Sequence, residues 1–183
     1  FHPPIPTYTM TEETTNSPDE GPSNTKPKES IISITPRGSV CFKATFELVD
    51  DLPKPNFPNT QAYLLRTRQK TIVPLFYLPV PDAKFTMIFS HGNAADIGIM
   101  FNTFEFMAKL LKINIVGYDY SGYGASSAFH DTRPTERQTY QDITAVYQWC
   151  IDQSIVTNPA KEIILYGQSV GSGPTCQDRK SVV

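Results

Sequence analysis

The stretch that decides the fold is IILYGQSVGSGPT, residues 163–175. Its first four residues are all apolar, which is typical of a strand covered on both faces rather than one with a face in water. Residues 167–171 (GQSVG) then fit the pattern G-x-S-x-G, directly after this strand and before small residues that suit a helix. In that arrangement a serine sits on a sharp strand-to-helix turn with its hydroxyl exposed. The stretch therefore predicts that Ser169 is a nucleophile above the end of a strand, where helix N–H groups favour negative charge.

The two glycines of this motif have a steric reason. A serine on so sharp a turn leaves no room for side chains two residues before and two residues after it, and Gly167 and Gly171 meet that need. The five-residue pattern also arises by chance in loops, but here a strand precedes it and a helix follows. A dinucleotide fingerprint is a weaker interpretation because Cys176 occupies its third glycine position. A phosphate loop is weaker still, since no Gly-Lys-Ser/Thr follows.

Two earlier segments resemble the strand at the start of this stretch. Residues 85–89 (FTMIF) and 113–118 (INIVGY) are also apolar runs without alternation. A helix is predicted after Asp96, which we expect to be its N-cap. A second helix is predicted from about Thr135 to Gln153, with an apolar stripe of Ile143, Val146, Trp149 and Cys150. Strand–helix–strand–helix–strand is the βαβ series of a doubly wound α/β fold, whose active sites lie at the carboxyl ends of the strands.

The first half of the chain has a different pattern of short, mixed runs. Residues 40–49 combine aromatic and β-branched residues, and residues 61–66 and 71–78 flank a polar tetrapeptide, which predicts a hairpin. Pro74 lies within the second run and indicates an edge strand or a bulge. The fold class predicted from the whole pattern is α/β, with antiparallel first strands followed by parallel strands with flanking helices.

The sequence predicts three regions. Residues 1–30 are rich in Pro, Ser, Thr and Glu, so we expect a flexible arm whose aromatic and proline residues 1–8 can dock on the domain. Residues 31–177 form a partial α/β domain. Residues 178–183 are expected to be a non-native tail, because they back-translate to a sequence resembling a common sequencing adapter.

Composition excludes several classes of function. The net charge of −2 gives no basic surface for nucleic acid or an anionic membrane, and no apolar run reaches the roughly 18 residues of a membrane span. Three scattered cysteines lack metal-ligand spacing, so we expect neither disulfides nor zinc, and a reducing compartment. No signal-peptide pattern is present, and no cofactor is predicted.

The loop SHGNA, residues 90–94, is the predicted oxyanion-binding loop. Acyl transfer needs two N–H donors aimed at the tetrahedral oxyanion, one from the residue after the nucleophile and one from an earlier loop of this kind. Val170 follows the nucleophile. In the earlier loop we expect the backbone N–H of Asn93 to be the second donor, with Ala94 as the next choice.

Other residues of the neighbouring loops have less reactive interpretations. His91 could act as a general base, but it lies far upstream of the serine, and shaping its loop by hydrogen bonding is the preferred interpretation. Asp119 precedes the serine and is out of order for a triad acid, so we expect it to cap the turn made by Gly122 and Gly124. The remaining polar candidates are expected to be turn residues (Ser121, Ser126 and Ser127), surface histidines (His2 and His130) or a packed helix residue (Cys150).

No histidine follows Ser169 in the sequence. A serine hydrolase of this order carries its acid and histidine after the nucleophile, so both are absent from this chain. With part of the sheet missing, the strand at 163–166 loses a neighbour and leaves apolar surface uncovered. We therefore expect the 183-residue chain by itself to be inactive and poorly soluble.

Four segments, FHPPIPTYT, IFSHGNAADIG, YDYSGYGASS and ILYGQSVGSGPT, together resemble one group of α/β-hydrolases, the α/β-hydrolase-domain seventeen group of protein depalmitoylases. The resemblance covers about residues 40–176 and the N-terminal piece, and it implies that residues 31–177 are a partial α/β-hydrolase domain, the N-terminal part of that fold. It implies serine hydrolysis of thioester-linked palmitate on S-acylated proteins. On its motifs Ser169 matches the nucleophile, and Asn93, Ala94 and Val170 match the oxyanion region.

The resemblance also implies a location. Members of this group carry an acylated, cysteine-rich N-terminus, so the full-length parent is expected on the cytoplasmic face of membranes as a peripheral protein. The polar stretch at about residues 10–30 and the residues after Cys176 depart from the group's pattern. Two alternatives remain open: a carboxylesterase, lipase or peptidase of the same fold, and a non-catalytic α/β-hydrolase-like protein that binds a lipid or a partner in its cleft.

Overall fold

A computed structural model describes residues 1, 3–13, 31–34, 40–129 and 133–178. These residues form one mixed β-sheet with helices on both faces. The strands are β1 (Tyr8–Glu12), β2 (Ile31–Ile34), β3 (Val40–Leu48), β4 (Gln61–Arg66), β5 (Ile72–Leu78), β6 (Thr86–Ser90), β7 (Asn114–Tyr118) and β8 (Ile163–Gly167). The helices are α1 (Ile97–Leu111), α2 (Ser126–Phe129), α3 (Glu136–Asp152), α4 (Pro159–Glu162) and α5 (Ser172–Asp178).

The sheet has an antiparallel part and a parallel part. Its strand order is β1-β3-β4-β5-β7-β6-β8, with β2 also paired to β3. The pairs β1–β3, β2–β3, β3–β4, β4–β5 and β5–β7 are antiparallel. The pairs β7–β6 and β6–β8 are parallel. The predicted fold class is confirmed, including the hairpin β4–β5 and the series β6-α1-β7-α3-β8.

The two long helices cover opposite faces of the sheet. Helix α1 packs on one face through Phe101, Phe104 and Ala108, and α3 packs on the other through a buried stripe that matches the predicted one. The predicted N-cap of α1 is present, since the Asp96 side chain accepts a hydrogen bond from the N–H of Ile99. Thr135, the predicted start of the second helix, is the N-cap of α3, and its side chain accepts from the N–H of Gln138. The α3 stripe consists of Ile143, Val146, Trp149 and Cys150.

The predicted flexible arm is wrong for its first part. Residues 8–12 form strand β1, which pairs with β3 from Tyr8↔Leu48 to Glu12↔Ala44. The Tyr8 side chain is 1% exposed, so a single buried aromatic residue and a ladder of backbone bonds order the strand. Residues 14–30 lie outside the described residues. At the other end, Asp178 closes α5, and the rest of the predicted tail, residues 179–183, lies outside them.

Two further expectations about strands need correction. Strand β5 is not at an edge, because it lies between β4 and β7. Pro74 has no N–H to donate, but it lies one residue beyond the β5–β7 ladder, which begins at the pair Leu75 and Tyr118. Its carbonyl accepts from the N–H of Asp119 on the same side, so the absent N–H would also point to β7 at the end of that ladder and interrupts no bond within it. Strand β8 is not covered on both faces: it pairs with β6 alone in the described sheet, and Ile164 and Tyr166 are 36% and 42% exposed.

None of the helices in the described residues is long and apolar enough to cross a membrane.

Candidate active site

The turn after β8 has the geometry predicted for a nucleophile. Strand β8 ends at Gly167, a single 3₁₀ turn covers Ser169–Gly171, and α5 begins directly after it. Ser169 has a φ of +53°, in the left-handed region that non-glycine residues rarely adopt. Its side chain is exposed. The N–H of Gln168 donates to the carbonyl of Ser90 at 3.0 Å, which ties this turn to the end of β6.

The two glycines of the motif are sterically required. A Cβ on Gly167 would overlap the carbonyl oxygen of Gly171 and lie 2.5 Å from the hydroxyl of Thr175. A Cβ on Gly171 would overlap the carbonyl of Ser90 and lie 2.8 Å from that of His91. The backbone of the turn therefore approaches both its own helix and the end of β6 more closely than any side chain allows.

The loop of residues 91–96 lies beside Ser169. A Cβ built on Gly92 would be 3.8 Å from the Cβ of Ser169, an ordinary van der Waals distance. Asn93 is half-buried, and its Oδ1 accepts a hydrogen bond from the Tyr123 hydroxyl at 2.8 Å. Ala94 is exposed and Val170 is half-buried. The structure thus brings the predicted nucleophile next to the predicted oxyanion loop.

His91 is directed away from the nucleophile. Its side chain is fully buried, its Nε2 lies 2.9 Å from Asp119 Oδ1, and its Nδ1 lies 2.8 Å from the carbonyl oxygen of Gly92. Its ring packs on Tyr120, whose hydroxyl donates to the His91 carbonyl at 2.7 Å. The preferred interpretation, a histidine that shapes its loop, is confirmed.

Asp119 does not cap the turn at Gly122 and Gly124, so that prediction is wrong. Its Oδ1 accepts from the N–H of Ile97 at 3.0 Å, and its Oδ2 accepts from the Tyr8 hydroxyl at 2.5 Å. Burial raises the pKa of Asp119, and the neighbouring His91 opposes that rise. Gly124 instead packs against this carboxylate, since a Cβ there would overlap Asp119 Oδ2.

Asp142 holds the turn, and sequence reasoning missed it. Its two carboxylate oxygens accept from the backbone N–H and the hydroxyl of Ser121, both at 2.8 Å. Burial raises the pKa of Asp142 from 3.8 to about 6. The position of Asp142 in the sequence could have indicated this role. Asp142 precedes Ile143 on the buried face of α3, and a buried carboxylate is costly unless it has hydrogen-bond partners.

The structure places the remaining polar candidates that it describes in local hydrogen bonds or in the core. Ser121 lies in a turn, as expected, whereas Ser126 and Ser127 are the first residues of α2 and not turn residues. The hydroxyl of Ser126 donates to the carbonyl of Ile72 and that of Ser127 to the carbonyl of Gly124, so these hydroxyls hold local structure. Cys150 is buried in α3, and burial raises the pKa of its thiol. The predicted surface histidines, His2 and His130, lie outside the described residues.

Comparison with known sequences identifies relatives of one kind. No family model matches the chain. It is 38% identical over 116 residues to the human alpha/beta hydrolase domain-containing protein 17B, covering 63% of this chain and 38% of that protein. It is 32% identical over 177 residues to protein 17C of Xenopus laevis, covering 96% of this chain and 53% of that protein. Against protein aho-3 of Caenorhabditis elegans, identity is 40% over 113 residues, covering 61% and 32%. The chain thus spans about half the length, or less, of these curated relatives.

Solved structures with a similar fold include esterases. An esterase of Pyrococcus furiosus matches with a TM-score of 0.56 at 18% identity, covering 72% of this chain and 48% of that one. An esterase of Pyrobaculum calidifontis matches with a TM-score of 0.52 at 13% identity, covering 69% and 42%. At these identities the likeness concerns the fold alone. The chain therefore shares its fold with somewhat less than half of each of these esterase chains.

Proposed function

We propose that this chain, which carries the N-terminal part of an α/β-hydrolase fold and is homologous to the alpha/beta hydrolase domain-containing 17 proteins, bears the nucleophile of a serine hydrolase. The observation that carries the proposal is the conformation of Ser169. An exposed serine with φ +53° stands between two glycines that cannot be replaced without overlap, at the carboxyl end of a parallel strand. Strain of this kind persists where the surrounding structure over-determines it, as at catalytic turns.

The reaction follows from this placement. Ser169 Oγ attacks the acyl carbon, a histidine accepts the hydroxyl proton, and the carbonyl oxygen becomes an oxyanion. The N–H of Val170 and that of Asn93 or Ala94 are the proposed donors to this oxyanion. Collapse of the intermediate expels the leaving group, which takes the proton, and water then hydrolyses the acyl-enzyme. The base must come from outside the described residues, because their one histidine, His91, is buried against Asp119.

The proposed substrate is a thioester-linked palmitoyl group on a cysteine of an S-acylated protein, at the cytoplasmic face of a membrane. This step rests on the resemblance of SHGNAADIG and YGQSVGSGPT to the depalmitoylase group. A thiolate leaves more readily than an alkoxide, so a thioester needs less help at the leaving-group side than an ester does. A carboxylesterase of the same fold would instead prefer an oxygen ester. Because the solved structures of similar fold include esterases, the experiment compares a thioester with the matching oxygen ester.

The experiment uses the full-length protein and its Ser169→Ala variant. We expect a fluorophosphonate probe to label the wild type at Ser169, and a palmitoylated peptide thioester to be hydrolysed faster than the matching oxygen ester. Ser169→Ala should remove both activities. Ser127→Ala is the matched control, since it removes a serine hydroxyl from an exposed residue of α2 and leaves the nucleophile intact.

Three results would count against the proposal in different ways. No labelling of the folded full-length protein would exclude the hydrolase and favour the non-catalytic binding protein. Labelling with a preference for the oxygen ester would keep the hydrolase and replace the thioesterase by a carboxylesterase. Activity that survives in Ser169→Ala would place the nucleophile elsewhere.

A further inference from the structure

The N-terminal segment meets the loop beside the nucleophile through two buried carboxylates. Tyr8 donates its hydroxyl to Asp119 Oδ2 at 2.5 Å. The backbone N–H of Thr7 donates to Asp96 Oδ2 at 2.7 Å, and the Thr7 hydroxyl donates to Asp96 Oδ1. Both aspartates are fully buried, so these bonds stabilise charges that burial would otherwise make costly. Nothing in the sequence motif around the nucleophile suggests a role for Thr7 or Tyr8.

The same carboxylates fix both ends of the loop. At its start, His91 Nε2 lies 2.9 Å from Asp119 Oδ1. At its end, Asp96 is itself the last loop residue and caps α1 by accepting from the N–H of Ile99 at 3.0 Å. Asp119 also accepts from the N–H of Ile97, the first residue of α1. Each anchor of the loop is therefore shared with the N-terminal segment.

The sheet, and not the loop, holds that segment in place. Tyr8 pairs with Leu48 in the β1–β3 ladder, and the N–H of Val49 donates to the carbonyl of Thr7 at 3.0 Å. The segment also fits closely against α1, because a Cβ on Gly98 would lie 2.5 Å from the Thr7 hydroxyl and 2.8 Å from the Tyr8 ring. Thr7 and Tyr8 thus connect a fixed part of the sheet to a loop that has no ladder of its own.

We propose that Thr7 and Tyr8 are positioning residues of the hydrolase: through Asp96 and Asp119 they hold residues 91–96 where the loop's backbone N–H groups can reach the oxyanion at Ser169. The inference deepens the proposed function and rests on it. Neither residue touches the substrate. Their effect arises because an oxyanion donor acts only when it is fixed in advance at hydrogen-bonding distance.

A positioning role of this kind affects binding of the tetrahedral intermediate and binding of the substrate differently. A misplaced loop weakens the tetrahedral intermediate and leaves the bound substrate largely unaffected, because the ground-state carbonyl makes little use of the oxyanion donors. Loss of the anchor should therefore lower kcat with little change in KM. A trifluoromethyl ketone, which forms a tetrahedral adduct with a serine, should lose affinity by the same factor.

The test compares Tyr8→Phe and Thr7→Val with matched controls in the full-length protein. Tyr63→Phe removes a tyrosine hydroxyl that donates to Gln61 Oε1 at 2.6 Å on β4, away from the site, and Thr7→Ser keeps the Thr7 hydroxyl. With rates normalised to the sites titrated by fluorophosphonate, we expect each test variant to lose about tenfold to a hundredfold in kcat. The KM should stay within about twofold, and the controls should resemble the wild type. Amide hydrogen exchange in peptides covering residues 91–99 should be faster in both test variants.

The outcomes distinguish this inference from the function on which it rests. A wild type that is labelled and active, with test variants that match Tyr63→Phe, overturns the positioning role and leaves the serine hydrolase standing. Unchanged hydrogen exchange over residues 91–99, or a rate loss that disappears after normalisation, overturns it as well. A folded wild type that is neither labelled nor active removes the proposed function, and the positioning role falls with it.

Discussion

The nucleophile turn and the loop beside it are held in place by opposite means. The turn at Ser169 depends on side chains that are absent, since Gly167 and Gly171 let backbones approach where a Cβ would overlap them. The loop of residues 91–96 depends on side chains that are present, a set of buried carboxylates, tyrosines and one histidine. The difference teaches that a steric requirement leaves a local signature in the sequence, whereas a polar network joins residues that are far apart in the chain.

The largest expected effect comes from a substitution that violates the steric requirement met at the nucleophile turn. Gly171→Ala places a Cβ against the backbone carbonyls of Ser90 and His91, neither of which can rotate away. We expect the full-length protein to lose about 3 kcal/mol or more of unfolding free energy, which is at the upper end for overpacking. We also expect it to lose labelling at Ser169. Denaturant unfolding and probe labelling measure the two effects.

A second glycine in the same segment provides the control. A Cβ on Gly173 would meet only the ring edge and the hydroxyl of Tyr140, both at 4.0 Å, and Gly173 lies in α5. We expect no loss of labelling and a stability gain of up to about 1 kcal/mol, because alanine favours the helix. Equal behaviour of the two variants would show that the close approach at Gly171 is not required.

The next largest effect comes from a substitution in the polar network that holds residues 91–96. Asp119→Asn keeps the shape of the side chain but replaces one of the two carboxylate oxygens, which accept from the Tyr8 hydroxyl and the Ile97 N–H, by an N–H₂ group that cannot accept. We expect a loss of about 1–3 kcal/mol of stability, as for a buried polar group left without its partner, and a lower kcat per titrated site.

Asp142→Asn sharpens this result. It disturbs an equally buried carboxylate, but one that holds Ser121 rather than the loop beside the nucleophile. We expect a similar loss of stability with kcat unchanged. If Asp119→Asn retained full kcat, or if both variants lost it equally, the special part assigned to residues 91–96 would be wrong.

The smallest expected effect is a pH dependence of stability. Burial raises the pKa of Asp142 from 3.8 to about 6, so folding favours the protonated form. Its contribution is fully present below pH 3.8 and is lost as the pH rises through about 6, with a slope of at most about 1.4 kcal/mol per pH unit. Asp142→Asn should flatten this slope between pH 4 and 6 when unfolding free energies of the two proteins are compared. An identical slope in both would assign the dependence to another group, such as Asp119, whose pKa burial also raises.

These contrasts explain which parts of the structure could be predicted from sequence. The βαβ series, the Asp96 N-cap and the turn at Ser169 depend on residues that are neighbours along the chain, and all were predicted. For β8 the sequence supported two opposite expectations: its apolar run indicated cover on both faces, and the missing neighbour strand indicated uncovered apolar surface, which Ile164 and Tyr166 show.

The polar anchors could not be predicted for a related reason. Tyr8 and Asp119 are 111 residues apart, and the composition of residues 1–30 pointed to a flexible arm. Only the pairing of β1 with β3 brings Tyr8 under the loop, and register of this kind depends on tertiary contacts that a local pattern does not contain. The partners of Asp119 and Asp142 were missed for the same reason.

The most direct test of the account is a crystal structure of the full-length protein after reaction with a fluorophosphonate. We expect phosphorus bonded to Ser169 Oγ, with the phosphoryl oxygen within about 3 Å of the N–H of Val170 and of an N–H from Asn93 or Ala94. An adduct on another residue, or a phosphoryl oxygen turned away from residues 91–96, would contradict it.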